Sequence, residues 1–150
     1  MELKDEIIIN ASQAVVYAAL NDPEVLKQCI PGCEELIKHS NTELEAKVVL
    51  KIGPVKAKFS GNVTLSPAAP PERFSLAGTG NGGAAGYVKG GAVVELEQHQ
   101  DGTLLRYTAT ADIGGKLAQL GSRLIQGTAK KLAAEFFKSF ADLVREDNAG

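Results

Sequence analysis

The stretch from Gly115 to Glu146 constrains the fold most, because it has the pattern of one long amphipathic helix. Apolar or small residues recur every three or four positions and define one face. No proline interrupts the pattern, and its alanines and leucines favour a helix. At about 1.5 Å per residue such a helix is about 45 Å long, enough to cross a small domain. Its phenylalanines must be buried, so the preceding chain has to supply a broad apolar surface.

Strand patterns dominate that preceding chain, since apolar and polar residues alternate through most of it. Gly-Pro, Asp-Gly and proline-rich stretches separate the alternating segments, and Pro67 to Pro71 is predicted to be a loop. The predicted elements are a strand over 2–9, helices over 12–20 and 23–29, and strands over 34–39, 43–52, 55–66, 73–80, 87–98 and 103–113. This order predicts an α+β domain spanning 1–150, in which a curved antiparallel seven-stranded sheet wraps the C-terminal helix.

Composition and charge narrow the classes of protein. A chain of 150 residues is one domain by its length, and its net charge of −2 argues against nucleic-acid binding. The N-terminus lacks the basic and apolar regions of a signal peptide, and no stretch has the apolar length of a membrane span. We therefore expect a cytoplasmic protein. Cys29 and Cys33 fit neither a redox motif nor a zinc site, so we expect reduced thiols.

The predicted inner face of the sheet is poor in bulky side chains. Alanines and glycines alternate there with a few larger residues, and aromatic residues make up only 5% of the chain. Two outcomes are open: an apolar cavity remains between sheet and helix, or the small residues let the helix approach and fill the gap.

Motifs for catalysis or cofactor binding are weak. Gly78 to Gly83 matches G-x-G-x-x-G, but strand-like residues follow where a dinucleotide site needs a helix, so a flexible turn or flap is favoured. His39 and His99 lie beside predicted turns with no nucleophile near them in sequence. The sequence therefore predicts no catalytic residue, no metal site and no cofactor.

Basic residues recur along the outer side of the predicted long helix. Lys116, Arg123 and Lys130 are spaced by seven, and Lys138 lies close to the same line. A solvated helix face accounts for this pattern. The alternative is a docking face for an acidic partner or for anionic lipid head groups.

Five segments together resemble one family. They are Asn21-Asp22-Pro23, Cys29 to Glu34, Gly53 to Gly61, Gly78 to Gly91 and Gly114 to Ile125. The chain resembles the CoxG family of carbon monoxide dehydrogenase proteins, within the START-like helix-grip superfamily. The resemblance implies a helix-grip fold with a hydrophobic cavity. It also implies an accessory role beside a molybdenum hydroxylase such as carbon monoxide dehydrogenase, in membrane association or in handling a quinone.

The leading hypothesis is a non-catalytic protein that binds a quinone- or lipid-like molecule under the last helix and passes it between a membrane surface and a redox enzyme. The expected wall residues are Phe59, Phe74, Leu76, Tyr107, Leu117, Leu120 and Leu124, with Tyr87 as part of a lid. The expected docking residues are Lys116, Arg123, Lys130 and Lys138. Two alternatives remain: a small cyclase- or dehydratase-like enzyme that uses the cavity, and a ligand-free assembly factor that docks through the basic helix.

Overall fold

Seven strands and three α-helices form the architecture of the computed structural model, which describes residues 1–69 and 71–145. The strands are β1 (Glu2–Ile9), β2 (Cys33–Lys38), β3 (Glu43–Ile52), β4 (Val55–Ala69), β5 (Arg73–Asn81), β6 (Tyr87–His99) and β7 (Gly102–Gly114). The α-helices are α1 (Gln13–Leu20), α2 (Pro23–Cys29) and α3 (Ser122–Val144). A short 3₁₀ turn (Gly83–Ala85) precedes β6, and a 3₁₀ helix (Gly115–Leu120), called here the linking 3₁₀ helix, precedes α3.

The strands form one antiparallel sheet in the order β1-β7-β6-β5-β4-β3-β2. Consecutive strands from β2 to β7 are neighbours, and β1 closes the order by pairing with β7. The register places Phe59 opposite Val48, and Phe74 opposite Val94, on the face that packs against the helices. The predicted seven-stranded sheet around a long C-terminal helix is confirmed.

The two short helices begin where capping residues predict. The Ser12 side chain accepts a hydrogen bond from the Val15 N–H at 3.3 Å, and the Asp22 carboxylate accepts one from the Glu24 N–H at 2.9 Å. Pro23 occupies the first turn of α2, where its missing N–H costs no hydrogen bond. Both helices lie between β1 and β2 in sequence and cover one end of the sheet's inner face.

The last helix differs from the prediction. Helical structure does begin at Gly115, but as a 3₁₀ helix that ends at Leu120; the α-helix begins only at Ser122. Gly121, with φ 95° and ψ 149°, separates the two, because this extended conformation cannot continue a helical hydrogen-bond series. The predicted end at Glu146 lies outside the described residues, and α3 ends at Val144 within them.

The loop predicted from Pro67 to Pro71 is also shorter than expected. β4 continues to Ala69, and Pro67 pairs with Phe74 of β5. The register shifts between Pro67 and Ala69, so the proline is accommodated at an irregular end of the strand pair.

The main hydrophobic core lies at the end of the sheet that α1 and α2 cover. The chain has five Phe and three Tyr, and six of these eight belong to this core: Tyr17, Phe74, Tyr107, Phe136, Phe137 and Phe140. A smaller cluster around Ile52, Phe59 and Leu117 lies at the other end, under the linking 3₁₀ helix. Most of the aromatic side chains therefore lie on the C-terminal half of α3 or pack against it.

Candidate apolar ligand site

A cavity of about 200 Å³ lies between the sheet and the N-terminal half of α3. The helix contributes residues with the spacing of one buried face, and the sheet contributes inward-facing residues of β3, β6 and β7. Its lining residues are Met1, Leu50, Ile52, Val88, Ile113, Leu117, Ile125, Thr128, Ala129 and Leu132. Nine of these ten are apolar, so the cavity matches an apolar guest.

The polar groups at this wall already have hydrogen-bond partners. The Thr128 hydroxyl donates to the Leu124 carbonyl at 2.9 Å, and the Met1 ammonium donates to the Ala111 carbonyl at 3.1 Å. No Asp, Glu, His, Lys or Arg lines the cavity within the described ranges. Water in such a space would find few partners, and a volume of 200 Å³ equals that of about six or seven liquid waters.

A second hollow borders the cavity where the linking 3₁₀ helix meets α3. This hollow of about 260 Å³ shares Met1, Ile113 and Ile125 with the cavity and extends to Gly121. Gly115 and Gly121, which bound the linking 3₁₀ helix, both have positive φ, at 77° and 95°. Glycine adopts such angles without a Cβ clash. The backbone at Gly115 packs against Gly86, whereas nothing lies within 4 Å of a Cβ position on Gly121.

The β3–β4 turn packs directly against the start of α3. The Leu124 side chain lies so close to Gly53 that a Cβ on Gly53 would be 2.8 Å from Leu124 Cδ2. Leu124 remains 37% exposed, although it touches this turn. The β3–β4 turn and the Leu124 side chain therefore pack together at the end of the molecule that contains the cavity.

A larger groove of about 860 Å³ lies between β1 and the outer edge of α3. Tyr107 lies in this groove and stacks on Phe137, with ring centroids 5.1 Å apart. Burial raises the pKa of the Tyr107 phenol, and the nearby Asp5 carboxylate raises it further. Charged residues line much of the rim, namely Glu2, Lys4, Asp5, Glu6, Lys130 and Lys138. The lining of the smaller cavity is apolar apart from Thr128, whereas this groove has a charged rim, so we assign the apolar site to the cavity.

Titratable side chains that could act as acid or base lie elsewhere. Arg106, on the outer face of the sheet, donates to Glu6 at 3.0 Å and to Glu97 at 2.8 Å. Thr103 is the one polar residue that is buried within 1–69 and 71–145, and its hydroxyl donates to the Ala11 carbonyl. In the same ranges no group of three His, Cys, Asp or Glu side chains could hold a metal ion.

The two cysteines are free thiols. Cys29 is buried in the main core, and Cys33 lies half-buried at the start of β2. Burial raises the pKa of each thiol, so both are held as the less reactive protonated form.

The structure distributes the eight predicted ligand-binding residues over different places. Leu117 lines the cavity, while Phe59 and Leu120 pack beside it in the same cluster. Tyr107 lines the β1–α3 groove. The others are Phe74 and Leu76 in the packed core, Leu124 over Gly53, and Tyr87, which is 53% exposed. Ligand contact by any of the eight stays a prediction.

The predicted set omitted most of the wall, including Ile125, Ala129 and Leu132 of α3. Their spacing of four and three marks them as one helix face in the sequence. Two of the predicted aromatic wall residues, Phe74 and Tyr107, belong to the main core at the opposite end of the sheet, whereas Phe59 packs beside the cavity.

The glycine motif from Gly78 to Gly83 runs along β5 into a turn. No α-helix follows, because residues 83–85 form a 3₁₀ turn and β6 begins at Tyr87. The Phe59 ring occupies the space that a Cβ on Gly82 would need. These glycines thus permit close packing at the cavity end of the sheet.

The predicted basic stripe is interrupted. Lys116 lies in the linking 3₁₀ helix, on the other side of Gly121 from α3, so it does not continue the seven-residue spacing. Arg123, Lys130 and Lys138 lie on α3 and are exposed. None of these four residues has an ion-pair partner in the described part of the chain.

These features define the class of protein: a helix-grip domain with an apolar cavity between its sheet and its long C-terminal helix. The sequence from residue 6 to residue 144 matches the family model for CoxG, a subunit of carbon monoxide dehydrogenase. The chain therefore belongs to the carbon monoxide dehydrogenase CoxG family.

Solved structures agree with this fold. A conserved protein from Geobacillus kaustophilus is 31% identical, with a TM-score of 0.89 over 96% of this chain and 95% of that one. A Chromobacterium violaceum protein has 15% identity and a TM-score of 0.73, covering 95% and 96% of the two chains. Ara h 8.0201, a Bet v1-like protein, has 14% identity and a TM-score of 0.65, covering 96% and 97%. At such low identity the last two show the fold alone.

A comparison with curated proteins gave no match. The part of the chain that the structure describes contains no helix with both the length and the hydropathy of a membrane span.

Proposed function

We propose that this chain is a non-catalytic accessory protein of a carbon monoxide dehydrogenase or a related molybdenum hydroxylase, and that it binds a quinone- or lipid-like molecule. Family membership supports the association with the enzyme system. The apolar cavity supports the binding role, because its wall offers an apolar guest contacts without leaving a polar group unpaired.

The cavity volume limits what enters without rearrangement. Small-molecule sites have volumes of about 300–1,000 Å³, whereas this cavity has about 200 Å³. It therefore accommodates one ring or a short alkyl segment, and a longer tail has to leave through the hollow beside Gly121. We infer that a bulkier guest requires movement of the linking 3₁₀ helix at Gly121, where nothing lies within 4 Å of a Cβ position.

Decylubiquinone, which has one ring and a ten-carbon tail, is a suitable probe. The purified protein is incubated with it and examined by native mass spectrometry and by fluorescence titration. We expect one molecule per chain. A protein that co-purifies with no apolar molecule and also takes up neither decylubiquinone nor a free fatty acid contradicts the proposal.

Ala129→Leu tests the location of the site. Three added carbons at Ala129 project into the cavity and should weaken decylubiquinone binding at least tenfold, while filling empty space should raise stability by about 0.5–2 kcal/mol. Ala134→Leu adds the same atoms at an exposed position of α3 outside the cavity and should leave binding unchanged. Equal losses in both variants would place the ligand elsewhere.

An assembly role is the second candidate, supported by the lysines of α3. Lys130 and Lys138 are exposed beside the β1–α3 groove and have no ion-pair partner within the described ranges. We propose that an acidic face of the enzyme partner docks there together with Arg123. Reversal of Arg123 and Lys130 to Glu should abolish co-purification with the partner enzyme while decylubiquinone binding persists. Loss of neither property would exclude this docking face.

A further inference from the structure

The strand β1 forms one edge of the sheet and borders the β1–α3 groove. Its register with β7 has no shift over its eight residues. The other edge strand, β2, has six residues and a register shift between Cys33 and Glu35. Short strands and irregularities protect sheet edges, because a long regular edge can pair with another strand. The edge at β2 has both of these protections, whereas the edge at β1 has neither.

Alternate residues of β1 direct their main-chain groups away from β7. Met1 and Ala111 exchange two hydrogen bonds, so the odd-numbered residues of the strand pair with β7. The main-chain groups of Lys4, Glu6 and Ile8 therefore point outward. Among residues 1–69 and 71–145 no partner bonds to the N–H or carbonyl of Lys4, to those of Ile8 or to the Glu6 carbonyl. An incoming strand could therefore form hydrogen bonds with these groups.

Two side chains cover other parts of this edge. Gln126 Nε2 donates to the Glu2 carbonyl at 2.9 Å, and the Asp5 carboxylate accepts a hydrogen bond from the Glu6 N–H at 2.8 Å. The first contact ties α3 to the start of β1. The edge that remains available to a partner therefore begins at Lys4.

The opposite wall of the groove is a face of α3 that consists mainly of small residues. Ala133, Ala134 and Ala141 line it together with Phe137. Because alanine side chains are short, they leave a groove of about 860 Å³ between the helix and β1. An extended chain in this groove would continue the sheet beyond β1 and pack over the alanines.

Two lysines on the helix wall determine which charge suits an occupant. Lys130 and Lys138 line the groove, are exposed and have no ion-pair partner in the described part of the chain. They are eight residues apart in α3 and therefore about 12 Å apart along the helix axis. Four residues of an extended strand span about 13 Å, and residues four apart lie on the same face. Acidic residues four positions apart in a strand therefore match both lysines.

The Asp5 carboxylate restricts the residue between the two acids. Gln126 contacts Glu2, and Phe137 stacks on Tyr107, which is the cross-strand partner of Asp5. Asp5 therefore lies along the stretch of groove between the two lysines. A third acid at the middle position of the occupant would be repelled by this carboxylate, whereas a small uncharged residue would not.

We propose that the β1–α3 groove binds an extended peptide segment of a partner protein, which adds to β1 as a strand and turns two acidic residues, four positions apart, towards α3. This inference rests on the assembly role proposed above for the same lysines, and it specifies the partner's binding element as a strand. A strand of a second copy of this chain is not favoured, because helices of that copy already cover the inner face of its sheet.

Two isomeric peptides test the charge spacing. The first is fluorescein-Thr-Glu-Val-Ala-Val-Glu-Thr-amide, with its glutamates four positions apart. The second is fluorescein-Thr-Val-Glu-Ala-Glu-Val-Thr-amide, with its glutamates two positions apart. In fluorescence anisotropy titrations we expect the first to bind about fivefold more tightly, because the second reaches one lysine at a time and an exposed ion pair contributes up to about a factor of five. Equal binding, or no binding of the first peptide, would overturn the proposal.

N-methylation of the first peptide tests the main-chain pairing while the protein stays unchanged. One form is methylated at both valine nitrogens, and the other at both glutamate nitrogens. Successive residues of a strand direct their N–H groups to opposite sides, so only one form blocks the pairing with β1. We expect one form to lose binding about tenfold and the other to change less than about threefold. Loss in the valine form indicates antiparallel pairing, and loss in the glutamate form indicates parallel pairing. Equal effects would contradict strand addition.

Matched double variants locate the site on the protein. Lys130→Gln with Lys138→Gln should weaken binding of the first peptide about tenfold. Lys51→Gln with Lys56→Gln removes the same charge from exposed positions beside the β3–β4 turn and should change binding less than about threefold. Equal losses in both double variants would mean that net charge alone acts, and the groove would be rejected.

Lys4→Pro tests the edge of β1 directly. It removes an N–H that points away from β7, and proline is tolerated at such edge positions. We expect it to weaken binding of the first peptide about tenfold, whereas Lys4→Gln, which removes only the charge, should change binding less than about threefold. Equal binding by both variants would contradict pairing at Lys4. Circular dichroism establishes that the proline variant is folded.

Amide hydrogen exchange of the wild-type protein gives a measurement that does not depend on that variant. The first peptide should slow exchange at the Lys4 and Ile8 amides and leave exchange in β2 unchanged. Unchanged exchange at both amides under saturating peptide would overturn the proposal.

Co-purification with the partner enzyme distinguishes this inference from the assembly role. If the first peptide binds at β1 but reversal of Arg123 and Lys130 to Glu leaves co-purification intact, the strand belongs to another protein and only the assembly role fails. If that reversal abolishes co-purification but the peptide does not bind, only the strand inference fails.

Discussion

The two halves of α3 pack against the same sheet in different ways. The C-terminal half places Phe136, Phe137 and Phe140 in contact with one another, and Phe140 is completely buried. The N-terminal half presents Ile125, Ala129 and Leu132, and about 200 Å³ beneath these residues is empty. One half of the interface thus stabilises the fold, and the other half leaves room for a guest.

The difference arises from where the few aromatic residues lie. An aromatic side chain fills far more volume than an alanine, so the half without aromatics cannot close unless the helix moves inward. The inward movement is limited because one continuous helix, already seated on Phe140, spans both halves. Packing of the C-terminal half of α3 therefore keeps its N-terminal half away from the sheet.

The largest expected effect is the loss of the packed half. Phe140→Ala removes a fully buried ring that stacks on Phe136 with centroids 6.0 Å apart, and it should lower the free energy of unfolding by about 3–5 kcal/mol. Leu132→Ala, at the edge of an existing cavity, should cost about 2 kcal/mol or less. Urea unfolding measures both. A larger loss for Leu132→Ala would show that the two halves contribute in the opposite order.

The next largest effect concerns Gly121, which immediately precedes the cavity-lining half of α3. Gly121 and Gly127 both have open space where a Cβ would lie, but Gly121 has φ 95° whereas Gly127 is inside α3. Gly121→Ala should therefore lower the free energy of unfolding by about 1–3 kcal/mol. Gly127→Ala should raise it by about 0.4–1 kcal/mol, because alanine favours a helix.

Thermal and urea unfolding of the two glycine variants give the signs directly. The substitutions are chemically identical and only six positions apart, so opposite signs isolate the backbone conformation as the cause. If both variants were stabilised, the linking 3₁₀ helix and α3 would be one continuous helix in solution.

The same two glycines show what the sequence predicts well and what it does not. Alternation located the strands, and Ser12 and Asp22 marked the starts of α1 and α2, because these signals depend on neighbouring residues. Gly121 and Gly127 both lie within the helix predicted from Gly115 to Glu146, and their similar neighbours do not distinguish them. The break falls at Gly121 because Leu117 has to reach the cluster with Ile52 and Phe59.

The sequence could not predict the location of the cavity, for a related reason. Poverty in bulky residues predicted that space could remain, but it did not predict which end would stay empty. That depends on α1 and α2 covering one end of the sheet and on the aromatic residues of four separate elements meeting there. Ile125, Ala129 and Leu132 line the cavity because most of the aromatic residues lie at the other end of the sheet.

The smallest expected effect lies at the border of the packed half, where Tyr107 stacks on Phe137 and faces the β1–α3 groove. Burial, and secondly the Asp5 carboxylate, raise the pKa of Tyr107. The folded state therefore holds this proton more tightly than the unfolded state does, and stability falls as the pH rises above the ordinary tyrosine pKa of about 10.

Urea unfolding at a series of alkaline pH values should show a shallower decline for Tyr107→Phe than for the wild type. Asp5→Asn, which removes only the lesser cause, should lie between them. If the stability of the wild type and of Tyr107→Phe declined in parallel, the phenol would be as solvated in the folded state as in the unfolded chain. Tyr107 would then not belong to the packed half of the interface.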